Sequence, residues 1–200
     1  SCSSVRFVFG YELQAAEQPR PIRREHVLPC REVVARVVSD SAARCEWDLA
    51  LVRLAHPVPD TLSPAAIRAE PVAPGEPLTT IGFPAGLPAK VAGGAHAIDA
   101  DPARADVFTL DSDTFTASSG SGVFDAQGAL VGIMIGGGED FERDPVAGCQ
   151  RVRKLSGASE PDVERAQHIA SVQRALQAAD QGERLEPCDS PSCDISSCVA

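Results

Sequence analysis

The feature that most constrains this chain is its punctuation. Sixteen prolines and sixteen glycines are spread along 200 residues, and the longest apolar run is about Ala129–Ile135. Runs this short are too brief for most helices but suit strands. The pattern predicts strands at Val5–Phe9, Val33–Val38, Leu49–Leu54, Leu78–Phe83, Lys90–Ile98, Val107–Leu110, Ser121–Asp125, Ala129–Gly136 and Gly148–Arg153. Turn signals separate them, among them His56-Pro57, Asp125–Gly128 and the Pro84–Pro88 stretch. Many short strands at near-even spacing point to an all-β sandwich or barrel. Pro57–Pro77 is rich in Pro and Ala without strand alternation, so it reads as a connection between two β units.

The pattern changes at Ser159. Val163, Ala166, Ile169, Val172, Ala175 and Leu176 recur at helical spacing. Ser159 and Asp162 suit a capping box, and Pro161 suits a first turn. A helix of about five turns is expected, ending near Asp180-Gln181-Gly182. The tail beyond Arg184 sets Cys188, Cys193 and Cys198 with four residues between each pair, among Ser, Asp and Pro, a spacing that favours disulfides over zinc.

Charge and cysteine content exclude some classes. The net charge is −10, unevenly spread: residues 1–55 carry +1 and the rest −11. Nucleic-acid binders present a basic face, so a polyphosphate partner is not expected. No apolar run reaches the roughly 20 residues that span a bilayer as a helix, so no membrane partner is expected either. Seven cysteines suggest an oxidising, extracellular compartment. Their odd number leaves a partner missing or one thiol free. Ser1 opens no signal-peptide pattern, so the expected form is a processed or truncated secreted chain.

Two segments carry chemistry. Asp113–Phe124 sets small residues around Ser119 and runs through a turn into Ala129–Ile135. A nucleophile loop needs such residues, because backbone N–H groups must reach a developing oxyanion without obstruction. A Ser/Gly-rich hairpin turn would look the same. The second segment is Trp47-Asp48, which opens the strand Leu49–Leu54. An acid in that place can orient an imidazole or can simply be a turn residue.

Together the motifs resemble the trypsin-like serine peptidases, and in particular the compact bacterial glutamyl-endopeptidase-like branch. Asp48-Leu49-Ala50-Leu51-Val52-Arg53-Leu54 is similar to that branch's acid-bearing strand. Asp113–Phe124 followed by Gly128-Ala129-Leu130-Val131-Gly132-Ile133 is similar to its nucleophile loop and the next strand. Ile81-Gly82-Phe83-Pro84-Ala85-Gly86 resembles the segment that opens its second barrel. The similarity runs from about Val5 to Leu176.

The resemblance implies two β-barrels, the first incomplete, with a C-terminal helix. Residues 1–62 would be the first-barrel remnant carrying the acid and 63–156 the second barrel carrying the nucleophile. Residues 157–182 would hold the helix and 183–200 the Cys-rich tail. Ser119 is implied as nucleophile, ahead of Ser121, with Asp48 as orienting acid. The N–H groups of Ala117 and Ser119 would form the oxyanion hole. Asp113, Thr114, Gly136 and Gly137 would shape the substrate pocket. Asp113 at its base favours a basic residue. Met134, standing where glutamyl-specific relatives place a histidine, argues against glutamate. The implied partner is a protein or peptide substrate, handled by a monomer without metal or organic cofactor.

Two departures stand out. Ala117 occupies a position where the family has glycine, and the histidine motif that should precede Asp48 is absent. Of His26, His56, His96 and His168, only His26 precedes the acid, in surroundings unlike that motif. The expectation is therefore an endopeptidase fragment, inactive as written and truncated before its histidine. The cysteine that accompanies that histidine would complete the odd count. The alternative is a secreted trypsin-like homologue that binds without catalysis.

Overall fold

Alternating burial carries the short runs into strands. In a computed structural model, residues 2, 4–38, 47–68, 70–100, 106–153 and 163–183 are described. The strands are β1 (Arg6–Val8), β2 (Leu13–Ala15), β3 (Gln18–Pro19), β4 (Val27–Val38), β5 (Asp48–Leu54), β6 (Pro77–Gly82) and β7 (Lys90–Asp99). They continue as β8 (Val107–Leu110), β9 (Gly122–Phe124), β10 (Leu130–Gly136), β11 (Phe141–Arg143), β12 (Gln150–Val152) and β13 (Glu164–His168), followed by helix α1 (Ile169–Gln181).

Six strands close a barrel in the cyclic order β10-β13-β8-β7-β6-β9, with antiparallel pairing throughout. Its interior is filled by Leu78, Ala95, Ala97, Phe108, Leu110, Val123, Val131, Met134 and Ala166. The two-residue period is visible in β6, where Leu78, Thr80 and Gly82 are buried and Pro77 and Ile81 are exposed. Gly132 is required by this packing: a Cβ there would lie 2.6 Å from the Phe108 ring and 2.9 Å from the Gln167 carbonyl.

The other sheets do not close. β1, β4 and β5 form a three-stranded sheet, consistent with a second, incomplete barrel, and the β2/β3 and β11/β12 pairs stand apart. The Cys2–Cys30 disulfide joins the segment before β1 to β4 across 28 residues. Closing a loop of that length is worth roughly 3–4 kcal/mol in the chain-entropy account. Cys149 is free and exposed. Cys45, Cys188, Cys193 and Cys198 lie outside the described residues, as does the capping box at Ser159 and Asp162.

All nine expected strands are present, Val107–Leu110 with the expected ends and the others with shifted ones, β4 running six residues further toward the N-terminus than its pattern suggests. The helix needs correction. Glu164–His168, read as its early turns, forms β13, and α1 starts only at Ile169. β13 pairs with β8 on one side and β10 on the other and closes the barrel. Ladder hydrogen bonds on both edges outweigh a weak local helical spacing. The expected end of the helix holds: Gly182 adopts φ 69°, and the N–H groups of Gly182 and Glu183 cap the carbonyls of Ala179 and Ala178. No described helix is long and apolar enough to cross a membrane.

The helix joins the two halves. Ala175 and Val172 pack on Val37, Trp47 and Leu49 of the open sheet. Asp106, just before β8, accepts hydrogen bonds from the Trp47 indole N–H and from Ser171 and Arg174 of α1. The Arg174 guanidinium also lies 4.8 Å above the Trp47 ring. Removing the acceptor strands a largely buried indole donor and an arginine, so Asp106→Ala is expected to cost about 2–4 kcal/mol in urea unfolding. A loss below 0.5 kcal/mol would contradict this role.

His168 is buried beside the same cluster. Burial pushes its imidazole below the usual range, and the Asp106 carboxylate opposes this only in part. The unfolded chain therefore takes up a proton that the folded chain resists. His168 should cost stability as pH falls below about 6.5 and nothing above it. The difference in unfolding free energy between wild type and His168→Gln, measured from pH 8 to pH 5.5, should shift toward the variant at the acid end.

Candidate active site

The loop between β8 and β9 is held by hydrogen bonds around its tip, where four of the six amides from Thr116 to Ser121 are engaged. The Ser118 N–H donates to the Phe115 carbonyl at 3.1 Å, closing a turn whose third residue, Ala117, has φ 67°. That is the signature of a type II turn, which normally places glycine there. A β-carbon in this left-handed region costs roughly 1–2 kcal/mol. Asp140 accepts from both the N–H and the hydroxyl of Thr116, each at 2.5 Å. The Gly120 N–H donates to the Met134 carbonyl at 2.7 Å, and the Met134 N–H donates to the Ser121 carbonyl at 2.9 Å, stapling the loop to β10.

Between Thr116 and Ser121 two amides are left over. Among the described residues, no acceptor takes the N–H of Ala117 or of Ser119, while those of Thr116, Ser118, Gly120 and Ser121 are all engaged. Both residues are exposed and line a cavity of about 50 Å³. Two adjacent uncommitted donors beside a serine hydroxyl are what an oxyanion requires. The Ser119 hydroxyl itself makes only a long contact, 3.5 Å, to the Ile135 carbonyl. Ser121 is 6% exposed, and its Oγ would lie 1.7 Å from a Cβ placed on Gly82, so it is packed into the wall and not presented at the cavity.

Gly136, Gly137 and Met134 line the same cavity, together with Asp140 and Glu164. Gly137 leaves room for a carboxylate: a Cβ there would come within 2.1 Å of Glu164 Oε2. The half-buried Glu164 carboxyl is pushed up to about 7, first by burial. The Thr114 hydroxyl and Arg165 pull it down, whereas the Asp140 and Asp113 carboxylates push it further up. Asp113 and Thr114 line not this cavity but a larger apolar groove of about 610 Å³, shared with Leu87, Val91 and Phe141. Among the described residues no group of three or more His, Cys, Asp or Glu is placed to hold a metal ion.

Asp48 lines neither space. It opens β5 with an exposed side chain, directly after the buried Trp47, and its N–H donates to Gln167 Oε1 at 3.2 Å. Gln167 pairs with Ile133 of β10, two residues before the carbonyl that meets Ser119. The acid strand is thereby tied to the strand beneath the serine. None of the four histidines lines the cavity: His56 and His96 are exposed, His168 is buried beneath α1, and His26 sits in a short turn before β4.

Glu164 is the cavity residue that sequence reasoning missed, because the helical spacing from Val163 onward placed it inside a helix. Its barrel position comes from pairing with Leu110, and nothing within residues 159–170 announces that partner.

The sequence matches the family model described as the trypsin-like peptidase domain over residues 13–133. No curated protein is significantly similar in sequence. Among solved structures, the inactive form of the M. tuberculosis protease Rv3671c aligns with a TM-score of 0.51 at 18% identity, over 80% of this chain and 70% of that one. A mutant of the same protein, also in an inactive form, aligns with a TM-score of 0.51 at 16% identity, over 82% of this chain and 71% of that one. Identities this low establish the shared fold alone.

The strained turn yields a direct test. Ala117→Gly should raise stability by about 1 kcal/mol, a melting-temperature increase of roughly 2–4 °C for a chain of this size. An unchanged or lower melting temperature would mean that Ala117 is not held left-handed.

Proposed function

The chain belongs to the trypsin-like peptidase domain family, and from that premise we propose that it carries the nucleophile and the acid of a secreted serine endopeptidase, with Ser119 attacking the scissile carbonyl. The observation that supports this most is the pair of uncommitted N–H groups at Ala117 and Ser119 beside an exposed hydroxyl. In the reaction the Ser119 oxygen bonds to the carbonyl carbon as its proton passes to an imidazole. The carbonyl electron pair moves onto the oxygen, which the two N–H groups receive. The C–N bond then breaks as the imidazole returns that proton to the departing amine. Water repeats the sequence to release the acid and restore the serine.

Asp48 is assigned the orientation of that imidazole. The imidazole is assigned to a segment outside residues 1–200, since His26, His56, His96 and His168 all lie off the cavity. Without it a serine hydroxyl is a weak nucleophile at neutral pH, so the 200-residue chain alone should turn over little substrate. The same observation favours a second reading, in which a trypsin-like homologue uses the cleft to bind a peptide without cutting it.

Fluorophosphonate labelling of the protein as its source produces it separates the two. The peptidase reading predicts one phosphonylated peptide containing Ser119, lost in Ser119→Ala and retained in Ser121→Ala. Labelling falls by at least 100-fold in Ser119→Ala, while thermal unfolding is unchanged. The absence of site-specific adduct in the native protein supports the binding reading instead.

A further inference from the structure

We propose that Glu164 acts as a general base for Ser119 across the cavity they share, giving the 200-residue chain a slow hydrolysis of activated esters of its own. The inference rests on the assignment of Ser119 as nucleophile made above. It adds a proton acceptor that lies within residues 1–200.

The requirements of acyl transfer to a serine meet in one small space. Ala117, Ser119 and Glu164 line the same cavity of about 50 Å³. The Ser119 hydroxyl has its long contact to the Ile135 carbonyl, and the N–H groups of Ala117 and Ser119 are uncommitted. A polar-lined space of this size holds a short file of waters. A general base works through one intervening water as well as by direct contact. None of the four histidines lines the cavity, so among the described residues its carboxylates are Asp140 and Glu164 and it has no imidazole.

The two carboxylates are not equivalent. Asp140 Oδ2 accepts both the N–H and the hydroxyl of Thr116, which commits it to holding the loop. Glu164 accepts the Thr114 hydroxyl, one partner where a carboxylate has room for about four. A Cβ at Gly137 would lie 2.1 Å from Glu164 Oε2 and 2.5 Å from Oε1, so glycine there leaves space around both oxygens.

The basicity of Glu164 suits the task. Burial, the largest effect, pushes its carboxyl up to about 7. The Thr114 hydroxyl from the nucleophile loop and Arg165 from β13 pull it down, whereas Asp140 after β10 and Asp113 before Thr114 push it up. A carboxylate at its ordinary value accepts protons poorly at neutral pH, and one near 7 is matched to it.

An ester whose leaving group departs as a stable anion needs no proton donor. The Ser119 oxygen bonds to the carbonyl carbon while its proton crosses the water to Glu164. The carbonyl electron pair moves onto the oxygen held by the two N–H groups. It returns as the ester C–O bond breaks and the phenolate departs, and Glu164 gives its proton to solvent. Water then adds to the acyl carbon as Glu164 takes a proton from it. That proton passes to the Ser119 oxygen as the acyl bond breaks. An amide gains less, because its amine must be protonated before it can leave.

The test follows p-nitrophenyl acetate hydrolysis by the purified 200-residue chain from pH 5 to pH 9, with Ser119→Ala as the blank. Ser119-dependent hydrolysis should rise with pH to a plateau, with its midpoint near 7. Glu164→Gln keeps the side chain's shape and lacks the base, so the rate at pH 8 should fall at least tenfold and the sigmoid vanish. Thr114→Val removes the hydroxyl that pulls the carboxyl down, so the midpoint should move to higher pH. Amide spectra report whether each variant is folded, and the Thr114→Val midpoint decides the matter if Glu164→Gln is not.

Ser119-dependent hydrolysis that persists in Glu164→Gln, or a midpoint unmoved or lowered in Thr114→Val, overturns the proposal and leaves Ser119 as nucleophile. Fluorophosphonate labelling of Ser119 in the native protein, with no hydrolysis by the chain above the blank, does the same. Hydrolysis that is equal in wild type and Ser119→Ala overturns the proposal together with the nucleophile assignment.

Discussion

The carboxylate of Asp106 is the contact on which the arrangement depends. It receives the Trp47 indole from the residue before β5 and the Ser171 hydroxyl and Arg174 guanidinium from α1, and its backbone carbonyl accepts the His168 N–H at 2.9 Å. The acid-bearing sheet, the closed barrel and the helix meet at one side chain. The sheet has three strands and cannot close on itself, so its apolar face needs a cover, and Ala175 and Val172 of α1 supply it. Apolar contact alone would let the sheet slide. Directional bonds to Asp106, with the Asp48 N–H on Gln167, fix where β5 begins relative to β10.

The nucleophile loop is positioned in a different way. Its fixed points lie on β10 and Asp140, and its strain is confined to Ala117. A type I turn would relieve the cost of the β-carbon, but it would rotate the Thr116–Ala117 peptide and carry the Ala117 N–H away from the cavity. The two hydrogen bonds from Thr116 to Asp140 hold the residue that leads into that peptide. A local cost of roughly 1–2 kcal/mol is thus maintained by contacts whose consequence is an open pair of amide donors.

Much of the barrel was legible because its strands alternate and its turns are marked by Pro, Gly and Asp. Val107–Leu110 was read to the residue, and the small residues around Ser119 pointed to the loop with the free amides. Ala117 was legible as a departure, and its left-handed backbone gives that departure a physical consequence. Glu164–His168 was not legible, because a strand whose identity comes from two flanking ladders carries no periodicity of its own. That one misreading hid the carboxylate that Glu164 brings to the cavity. Asp106 was invisible for a similar reason: a lone acid before a strand gives no sign of donors 59 and 65 residues away.

On the proposed reading, Ser119 and the amides of Ala117 and of Ser119 itself receive a tetrahedral oxyanion. The most direct measurement adds methylboronic acid and follows ¹¹B together with the amide protons of residues 117 and 119. A boronate bonded to the Ser119 oxygen turns its hydroxyl toward the two N–H groups. The account predicts a tetrahedral boron signal and downfield shifts of both amide protons, all absent in Ser119→Ala. Boron that stays trigonal at saturating concentration, or an adduct that leaves both amides unmoved, would contradict it.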